Sequence, residues 1–397
     1  MKFKMKLIVF VVAAIACLCP MASSAQDIKL SDHTISFHGF VTQGGIFTSG
    51  NNWLTMNTNG GSGAFTEMGL NVSTKLTDKL RISAQVYDHN VGQLGQWHPT
   101  LDFAMLDYKF KPWLSVRLGK VKTTLGLFTD TQDLDFLHAF ALMPQGIYPI
   151  DVRDANIAHL GGDIYGTISL GRKRGSLSYT GWGGHNYASI YSGYPYFLQA
   201  RGTQELRYDG TQYGGDLRWQ TPLKGLLVGA SRMNEDLSGF GIRLGGPNLE
   251  QSKKDYTNQF YGEYTWRNLI VDAEAKRFYR NHLIRNLTSE DSTNVHAWYV
   301  SGSYRFNKWV QVGSYYSHYT ITSTFLALTD TSTPAGHDYD KVVSGRVDFN
   351  RYLNIKIEGH FMDGYGFGPY PNGFYPQQNP VFANSTRALV LLSSFNF

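Results

Sequence analysis

The residues of this sequence with the clearest chemical potential are acidic, and they are gathered in one long stretch, residues 122–158. The stretch contains five aspartates against two basic residues, and the aspartates are Asp130, Asp133, Asp135, Asp151 and Asp154. Such a group of carboxylates could bind calcium or set the charge along a passage for solutes. The Asp-x-Asp-x-Asn-Gly spacing of a calcium loop is absent, so we favour the second interpretation.

Basic residues that could face this acidic stretch lie at alternate positions of strand-like segments. They are Lys75, Arg81, Arg117, Arg305, Arg346 and Lys356. Opposed acidic and basic walls would create a transverse field that favours small zwitterions and polar solutes, because their dipoles can align in it. Alternatively, the basic residues pair locally and leave little field. The carboxylates available for local pairing are Glu67, Asp107, Asp348 and Glu358.

Catalytic and metal-binding patterns are weak by comparison. The pairs His318 with Ser317 and His296 with Ser301 have the residue types of a hydrolytic site, but a chain of this length offers such pairs by chance. No two histidines have the His-x-x-x-His spacing of a helical zinc site. We therefore expect no enzymatic activity, no cofactor and no metal.

The first 25 residues have the pattern of a cleaved signal peptide. Three lysines precede an apolar run over residues 7–18, and small residues end at Ala25, after which we place cleavage. A membrane anchor would need about 20 apolar residues, and Pro20 interrupts the run. The mature chain, residues 26–397, is therefore predicted to be one exported domain.

Removal of the signal peptide also fixes the charge and redox chemistry of the mature chain. Both cysteines lie within the removed segment, so the mature chain has no disulfide and no thiolate metal site. The three lysines lost with the peptide lower the net charge from +5 to +2. This balance gives no reason to expect nucleic acid as a partner.

The remainder alternates between strand-like segments and two kinds of connection. We predict sixteen antiparallel strands of about ten residues, each with apolar and polar side chains on opposite faces. Seven short turns of Asn, Asp, Pro and basic residues alternate with eight long connections. The long connections are predicted at 48–64, 89–100, 122–158, 185–210, 235–255, 281–293, 321–338 and 363–384. Such alternation is typical of a transmembrane β-barrel with both termini on the periplasmic side.

Aromatic residues favour the membrane barrel over a soluble β-sandwich. Several lie on the apolar face at the end of a strand, immediately before a short turn, where a bilayer interface would hold them. They are Phe110, Trp219, Trp266, Phe306 and Phe349. The last strand is apolar and ends on Phe397, which resembles the assembly signal of Gram-negative outer-membrane proteins.

The sixteen strands, the terminal aromatic residue and the long third connection together resemble the Gram-negative outer-membrane porin superfamily, over essentially the whole mature chain. Residues 116–127, VRLGKVKTTLGL, are similar to the strand-into-loop segment of its phosphate-selective porin-like branch. The resemblance implies a passive, water-filled, trimeric channel whose third loop folds inward. The constriction of that branch is dominated by Arg and Lys, so the acidic stretch here argues against phosphate selectivity.

We therefore expect a passive channel for small hydrophilic solutes or ions in the outer membrane, in contact with lipid and lipopolysaccharide. Two alternatives remain open. One is a substrate-specific channel for a sugar or an anion, which an aromatic-rich connection could guide; its rings are Tyr187, Tyr191, Tyr194, Tyr196 and Phe197. The other is a structural or adhesion barrel that conducts no ions.

Overall fold

The computed structural model describes residues 26–30, 33–243, 246–366 and 373–397. The predicted signal peptide, residues 1–25, lies outside the described residues. None of the helices described is long and apolar enough to span a membrane.

The described chain forms a closed antiparallel β-barrel of sixteen strands, as the sequence predicts. A short additional strand, β1 (Gln26–Leu30), precedes it and pairs with the first barrel strand. The barrel strands are β2 (His33–Ser49), β3 (Ser62–Lys75), β4 (Leu80–Val91), β5 (Thr100–Lys111), β6 (Leu114–Lys122), β7 (Ala158–Ser169), β8 (Ser176–Tyr187), β9 (Gln204–Gln220), β10 (Leu226–Arg243), β11 (Gly246–Trp266), β12 (Leu269–Ile284), β13 (Ser289–Arg305), β14 (Val310–Ser323), β15 (His337–Asp348), β16 (Leu353–Gly364) and β17 (Ser385–Asn396).

The barrel closes where β17 pairs with β2. Leu391 lies opposite Gly45, and Asn396 lies opposite Phe40. Phe397 continues this seam, because its backbone N–H donates to the carbonyl of Gly39 at 3.0 Å and its carbonyl accepts the N–H of Gly39 at 3.2 Å. Closure leaves the last apolar strand without a free edge, which removes a site for aggregation.

Polar residues face the interior of the barrel and apolar residues face outward. In β16, Lys356 and Glu358 are fully buried, whereas the alternate residues Ile357 and Phe361 are about half exposed. A soluble protein buries its apolar side chains, so this inverted pattern is that of a barrel whose outer surface faces lipid.

The aromatic residues predicted at the strand ends are exposed on the outer surface. Phe110, Trp266, Phe306 and Phe349 are each more than half exposed, and Trp219 is 40% exposed. Large rings exposed to solvent would be costly in a soluble protein, whereas the headgroup region of a bilayer favours them. This observation agrees with the membrane interpretation.

The connections follow the predicted alternation with two corrections. The seven short turns occur where the sequence places them. The prediction of long connections at 235–255 and 281–293 is wrong in length. β10 ends at Arg243 and β11 begins at Gly246, and β12 ends at Ile284 and β13 begins at Ser289. These strands extend past the apolar band, and there water can reach both faces, so the apolar alternation that marks a strand is lost.

Among the described residues, helical structure is confined to the connections. Short 3-10 helices occur at Thr58–Gly60, Asp135–Leu137 and Ile150–Ala155, and an α-helix, α1, spans Gly193–Gln199. Two of the 3-10 helices belong to residues 122–158, which are called loop 3 from here on.

Candidate functional site at loop 3

Loop 3 has little regular structure, yet most of it is buried. Buried backbone N–H and C=O groups must find partners, and an irregular segment cannot supply them by itself. The barrel strands supply these partners through polar side chains. At Gly126, where φ is +68°, a Cβ atom would meet the Gln259 side chain at 2.0 Å, so only glycine fits the approach of the loop to β11.

A buried ion cluster holds one side of loop 3 to β4 and β5. Asp133 accepts from Lys122 at 2.9 Å and from Arg153 at 3.1 Å, and both cations also contact Asp102 on β5, at 3.3 and 2.7 Å. Gln85 on β4 donates to both carboxylates, at 2.9 Å to Asp102 and 3.1 Å to Asp133. The two negative charges and the two positive charges of the cluster therefore cancel.

The electrostatics of this cluster keep Asp133 ionised. Burial acts to raise the pKa of Asp133, but the positive charges of Lys122 and Arg153 outweigh it and hold the pKa well below its usual range. The guanidinium of Arg153 also lies 3.8 Å from the centre of the Tyr87 ring, a cation–π contact with β4.

A second group of contacts joins loop 3 to β16. The carboxylate of Glu358 accepts the backbone N–H groups of Ala141 and Leu142, at 2.9 and 3.1 Å. The ammonium of Lys356 donates to the carbonyls of Asp135 and Phe140, at 2.5 and 2.8 Å. Neighbouring side chains of one strand thus bind both donors and acceptors of the loop backbone.

Arg346 on the adjacent strand, β15, extends this contact. Its guanidinium donates to the carbonyl of His138 at 2.8 Å. Burial lowers the pKa of His138 to about 4, so its imidazole is neutral at pH 7. Burial also raises the pKa of Asp135, although the positive charge of Lys356 opposes the rise. Burial therefore shifts the pKa values of these two groups in opposite directions and favours the uncharged form of each.

A third group of contacts joins loop 3 to β12. The carboxylate of Glu274 accepts the backbone N–H of Leu127 at 3.0 Å and the hydroxyl of Tyr148 at 2.5 Å. Tyr299 on β13 donates to the same carboxylate at 2.8 Å. A quarter turn away, on β8, Asn186 donates to the carbonyl of Ala155 at 2.5 Å.

Apolar packing supports these polar contacts on two sides of the loop. Ile147 and Tyr148 pack with a buried cluster on the β13 and β14 walls that includes Ile321. Ala141 and Leu142 pack into a larger cluster that includes Trp53 and Phe374 from other connections. The loop is therefore held by apolar burial as well as by hydrogen bonds.

Asp151 ties loop 3 to the last long connection. Its carboxylate accepts the hydroxyl of Tyr375 at 2.6 Å, and both residues are buried. Burial raises the pKa of Asp151 to about 7, although the hydrogen bond from Tyr375 opposes the rise. This carboxyl therefore changes charge near neutral pH.

Comparison with known proteins identifies the architecture. No family model and no curated protein matches the sequence. OmpT of Vibrio cholerae matches over 94% of this chain and 100% of its own, with 11% identity and a TM-score of 0.55. OmpF of Salmonella typhi, solved with daunomycin, matches over 94% and 100%, with 12% identity and a TM-score of 0.56. An anion-selective porin from Comamonas acidovorans matches over 92% and 100%, with 11% identity and a TM-score of 0.52. The fold is that of an outer-membrane porin.

Within this porin-type barrel the predicted acidic residues occupy different environments. Asp133, Asp135 and Asp151 are buried, whereas Asp130 and Asp154 are partly exposed. The backbone carbonyl of Asp130 accepts a hydrogen bond from Lys122 at 3.1 Å, and the carboxylate of Asp154 lies 3.6 Å from Arg153. The five aspartates therefore do not form one acidic surface.

Two of the six predicted basic residues, Arg346 and Lys356, contact loop 3. Of the others, Lys75 and Arg81 are exposed at a short-turn end of the barrel. Arg117 pairs with Asp163 at 2.7 Å, and Arg305 pairs with Asp348 at 2.6 Å. Asp348 also pairs with Arg346. Many of the basic residues predicted to line the wall therefore pair with neighbouring carboxylates.

Sequence reasoning missed several of the residues that bind loop 3. Glu274 lies on a predicted strand, Asn186 lies in the predicted long connection 185–210, and Gln85 has the polar-face parity of β4. A carboxylate at an inward position of a strand, such as Glu274, predicts that it has a buried hydrogen-bond partner. The alternation of the strand does not identify which residue that partner is. Among the described residues, no group of three or more His, Cys, Asp or Glu side chains could hold a metal ion.

Proposed function

We propose that this protein is a porin-like passive channel for small hydrophilic solutes across the outer membrane, and that loop 3 lies across its lumen and sets its width. The observation that carries the proposal is the position of four of the strands that bind the loop. In the order of the sheet, β4, β8, β12 and β16 are spaced four strands apart, at quarter turns around a sixteen-stranded barrel. Only a segment within the lumen can reach all four inner faces.

The same contacts support weak rather than strong charge selectivity. Of the five aspartates of loop 3, Asp133 has the most ionic contacts and is neutralised by Lys122 and Arg153. Several wall arginines pair with neighbouring carboxylates. Paired charges leave a smaller field in the lumen than the opposed acidic and basic walls that the sequence suggested. We therefore propose passage of small neutral and zwitterionic solutes in preference to a single class of ion.

We further propose that the protein is a homotrimer in contact with lipid and lipopolysaccharide. The exposed apolar band and strand-end aromatic residues support a position in a bilayer. One matching structure of OmpT from Vibrio cholerae is described as its trimer form, with a TM-score of 0.54. The mass of the protein in detergent, measured by light scattering, tests the trimer: a monomer mass would contradict it.

Swelling of liposomes tests the channel function. Liposomes that contain the purified protein are diluted into isotonic solutions of sugars of increasing size, and the swelling rate is followed by turbidity. We expect rapid swelling with a pentose and a steep fall for di- and trisaccharides. Liposomes that contain heat-denatured protein are the control. Swelling no faster than this control would contradict the proposal and favour a structural barrel without conductance.

A further inference from the structure

A cavity of about 100 Å³ lies between loop 3, the connection that follows β8 and the inner faces of β8 to β14. On the loop side it is bounded by residues that include Pro149 and Val152, and on the wall side by Phe278 and Val295. A volume of this size can hold a small organic molecule rather than a single water, which needs about 10–15 Å³.

Four charged residues line the cavity and sum to zero net charge. Glu235, Asp255 and Arg280 follow one another on β10, β11 and β12 as direct cross-strand partners. Lys276 lies four residues before Arg280 on β12, so it is about 13 Å lower along the wall at the usual rise of a strand. The cavity therefore has carboxylates toward one end and an ammonium toward the other.

Two of the four charges are already engaged with neighbouring residues. Asp255 contacts the imidazole of His282 and accepts the backbone N–H of Asn281 at 3.1 Å. Arg280 donates to Glu250 at 2.5 Å. These side chains form part of a wall network and have less capacity for a ligand.

Glu235 and Lys276 retain capacity for a ligand. Glu235 is only 9% exposed, and within the described part of the chain its carboxylate accepts no hydrogen bond. Buried carboxylates are normally paired, so an unpartnered one that lines a cavity points to a ligand. Lys276 donates one hydrogen bond, to the carbonyl of Ile147 at 3.0 Å, and an ammonium has three donors.

We propose that this cavity binds a small zwitterion with an apolar side chain, of the class of the aliphatic α-amino acids. The ammonium of the ligand binds Glu235, its carboxylate binds Lys276, and its side chain packs against Phe278 and Val295. Both side chains line the same cavity, and their length shortens the gap that the ligand bridges. This inference rests on the proposed function, since it names the substrate class that such a channel would retain.

Binding to the purified protein in detergent tests the inference without requiring a current. The probe is L-leucine, titrated by calorimetry or by saturation-transfer NMR. Two analogues each lack one charge: 4-methylpentanoate has no ammonium, and 3-methylbutylamine has no carboxylate. We expect saturable binding of L-leucine that is at least about tenfold tighter than that of either analogue, because each lost contact is a charge-assisted hydrogen bond. Equal binding of all three compounds, or no saturable binding of L-leucine, would overturn the inference.

Variants of the two residues locate the site. We expect Glu235→Gln and Lys276→Met each to weaken L-leucine binding at least about tenfold, since each removes one charged contact. The controls are Glu290→Gln and Lys253→Met, which remove the same charges from an exposed ion pair of 2.9 Å. Heat-modifiable migration on gels verifies that each variant forms a barrel. Unchanged affinity in both cavity variants would show that leucine binds elsewhere.

The binding experiment tests the cavity and the swelling experiment tests the channel, so one proposal can be contradicted while the other is supported. Leucine binding by a protein that causes no swelling would support the cavity and contradict the channel. Swelling with no leucine binding would support the channel and contradict the cavity.

Discussion

At the scale of single residues, Arg153 joins three parts of the molecule. Its guanidinium contacts Asp133 within loop 3, Asp102 on β5 and the ring of Tyr87 on β4. Arg153 is a buried cation, and removing one partner from a buried ion pair costs about 3–5 kcal/mol of stability. Separation of loop 3 from this cluster therefore costs a large amount of free energy, and the cluster anchors the loop.

We expect Asp133→Asn to loosen this anchor. The substitution leaves two buried cations with one carboxylate, so the barrel should convert to its unfolded form at a lower temperature, with a loss of about 3 kcal/mol. Heat-modifiable gel migration measures this. The exposed carboxylate Glu290, replaced by Gln, is the control and should leave the transition unchanged. Equal behaviour of the two variants would show that the cluster does not hold the loop.

Asp151 makes a pH-dependent contribution to stability. An unfolded aspartate titrates near 3.8, whereas burial raises the pKa of Asp151 in the folded protein to about 7. The folded state therefore binds one more proton than the unfolded state between these values, and stability falls as the pH rises through the window from about 4 to 7. The penalty is absent below this window and complete above it, with an upper limit of about 4 kcal/mol.

Replacement of Asp151 by Asn should remove this penalty. We expect Asp151→Asn to be more stable than the wild type at pH 8 and close to it at pH 4, since Asn resembles the protonated acid. Thermal unfolding at both pH values measures the difference. His138 titrates in both proteins, so its effect cancels in the comparison. A constant difference between variant and wild type across this range would contradict the assignment.

At the scale of elements, loop 3 shows what the sequence could and could not predict. Its five aspartates, its length and its place after the fifth barrel strand marked it as a functional connection. Its partners could not be predicted, because hydrogen bonds such as those from Ala141 and Leu142 to Glu358 join residues far apart in the chain. Local pattern carries no information about such contacts.

The strands were predictable where lipid covers them. Lipid on one side and polar contents on the other impose the period of two that the sequence displays, as in β16. Beyond the bilayer the constraint disappears, and the ends of β10 and β11 read as a polar connection. The error at residues 235–255 therefore marks where the strands leave the apolar band.

The last strand closes the barrel through Phe397. Its backbone bonds to Gly39, and its ring lies where a Cβ atom on Gly39 would be 2.5 Å away. We expect deletion of Phe397 to lower the amount of folded protein in the outer membrane severalfold, since it removes two backbone hydrogen bonds to Gly39 and the ring that packs against it. Immunoblots of membrane fractions measure this. Phe349→Ala, which removes an exposed ring at another strand end, is the control. Normal levels after the deletion would contradict the role.

At the scale of the whole molecule, the barrel is a scaffold that holds one irregular segment from four sides. Loop 3 contacts β4, β8, β12 and β16 through Gln85, Asn186, Glu274 and Glu358. The strand count and the inverted burial pattern followed from the sequence. The fourfold attachment did not, because it depends on the closed shape of the barrel.

Single-channel recording in planar bilayers tests whether loop 3 spans and narrows a conducting lumen. The double variant Glu274→Ala/Glu358→Ala removes two anchors, and Glu263→Ala removes a carboxylate of β11 whose one described hydrogen bond is to Thr265 on the same strand. We predict discrete conductance steps in the wild type and in Glu263→Ala, and larger or noisier steps in the double variant. No steps in the wild type, or steps of the same size and noise in all three proteins, would contradict the account.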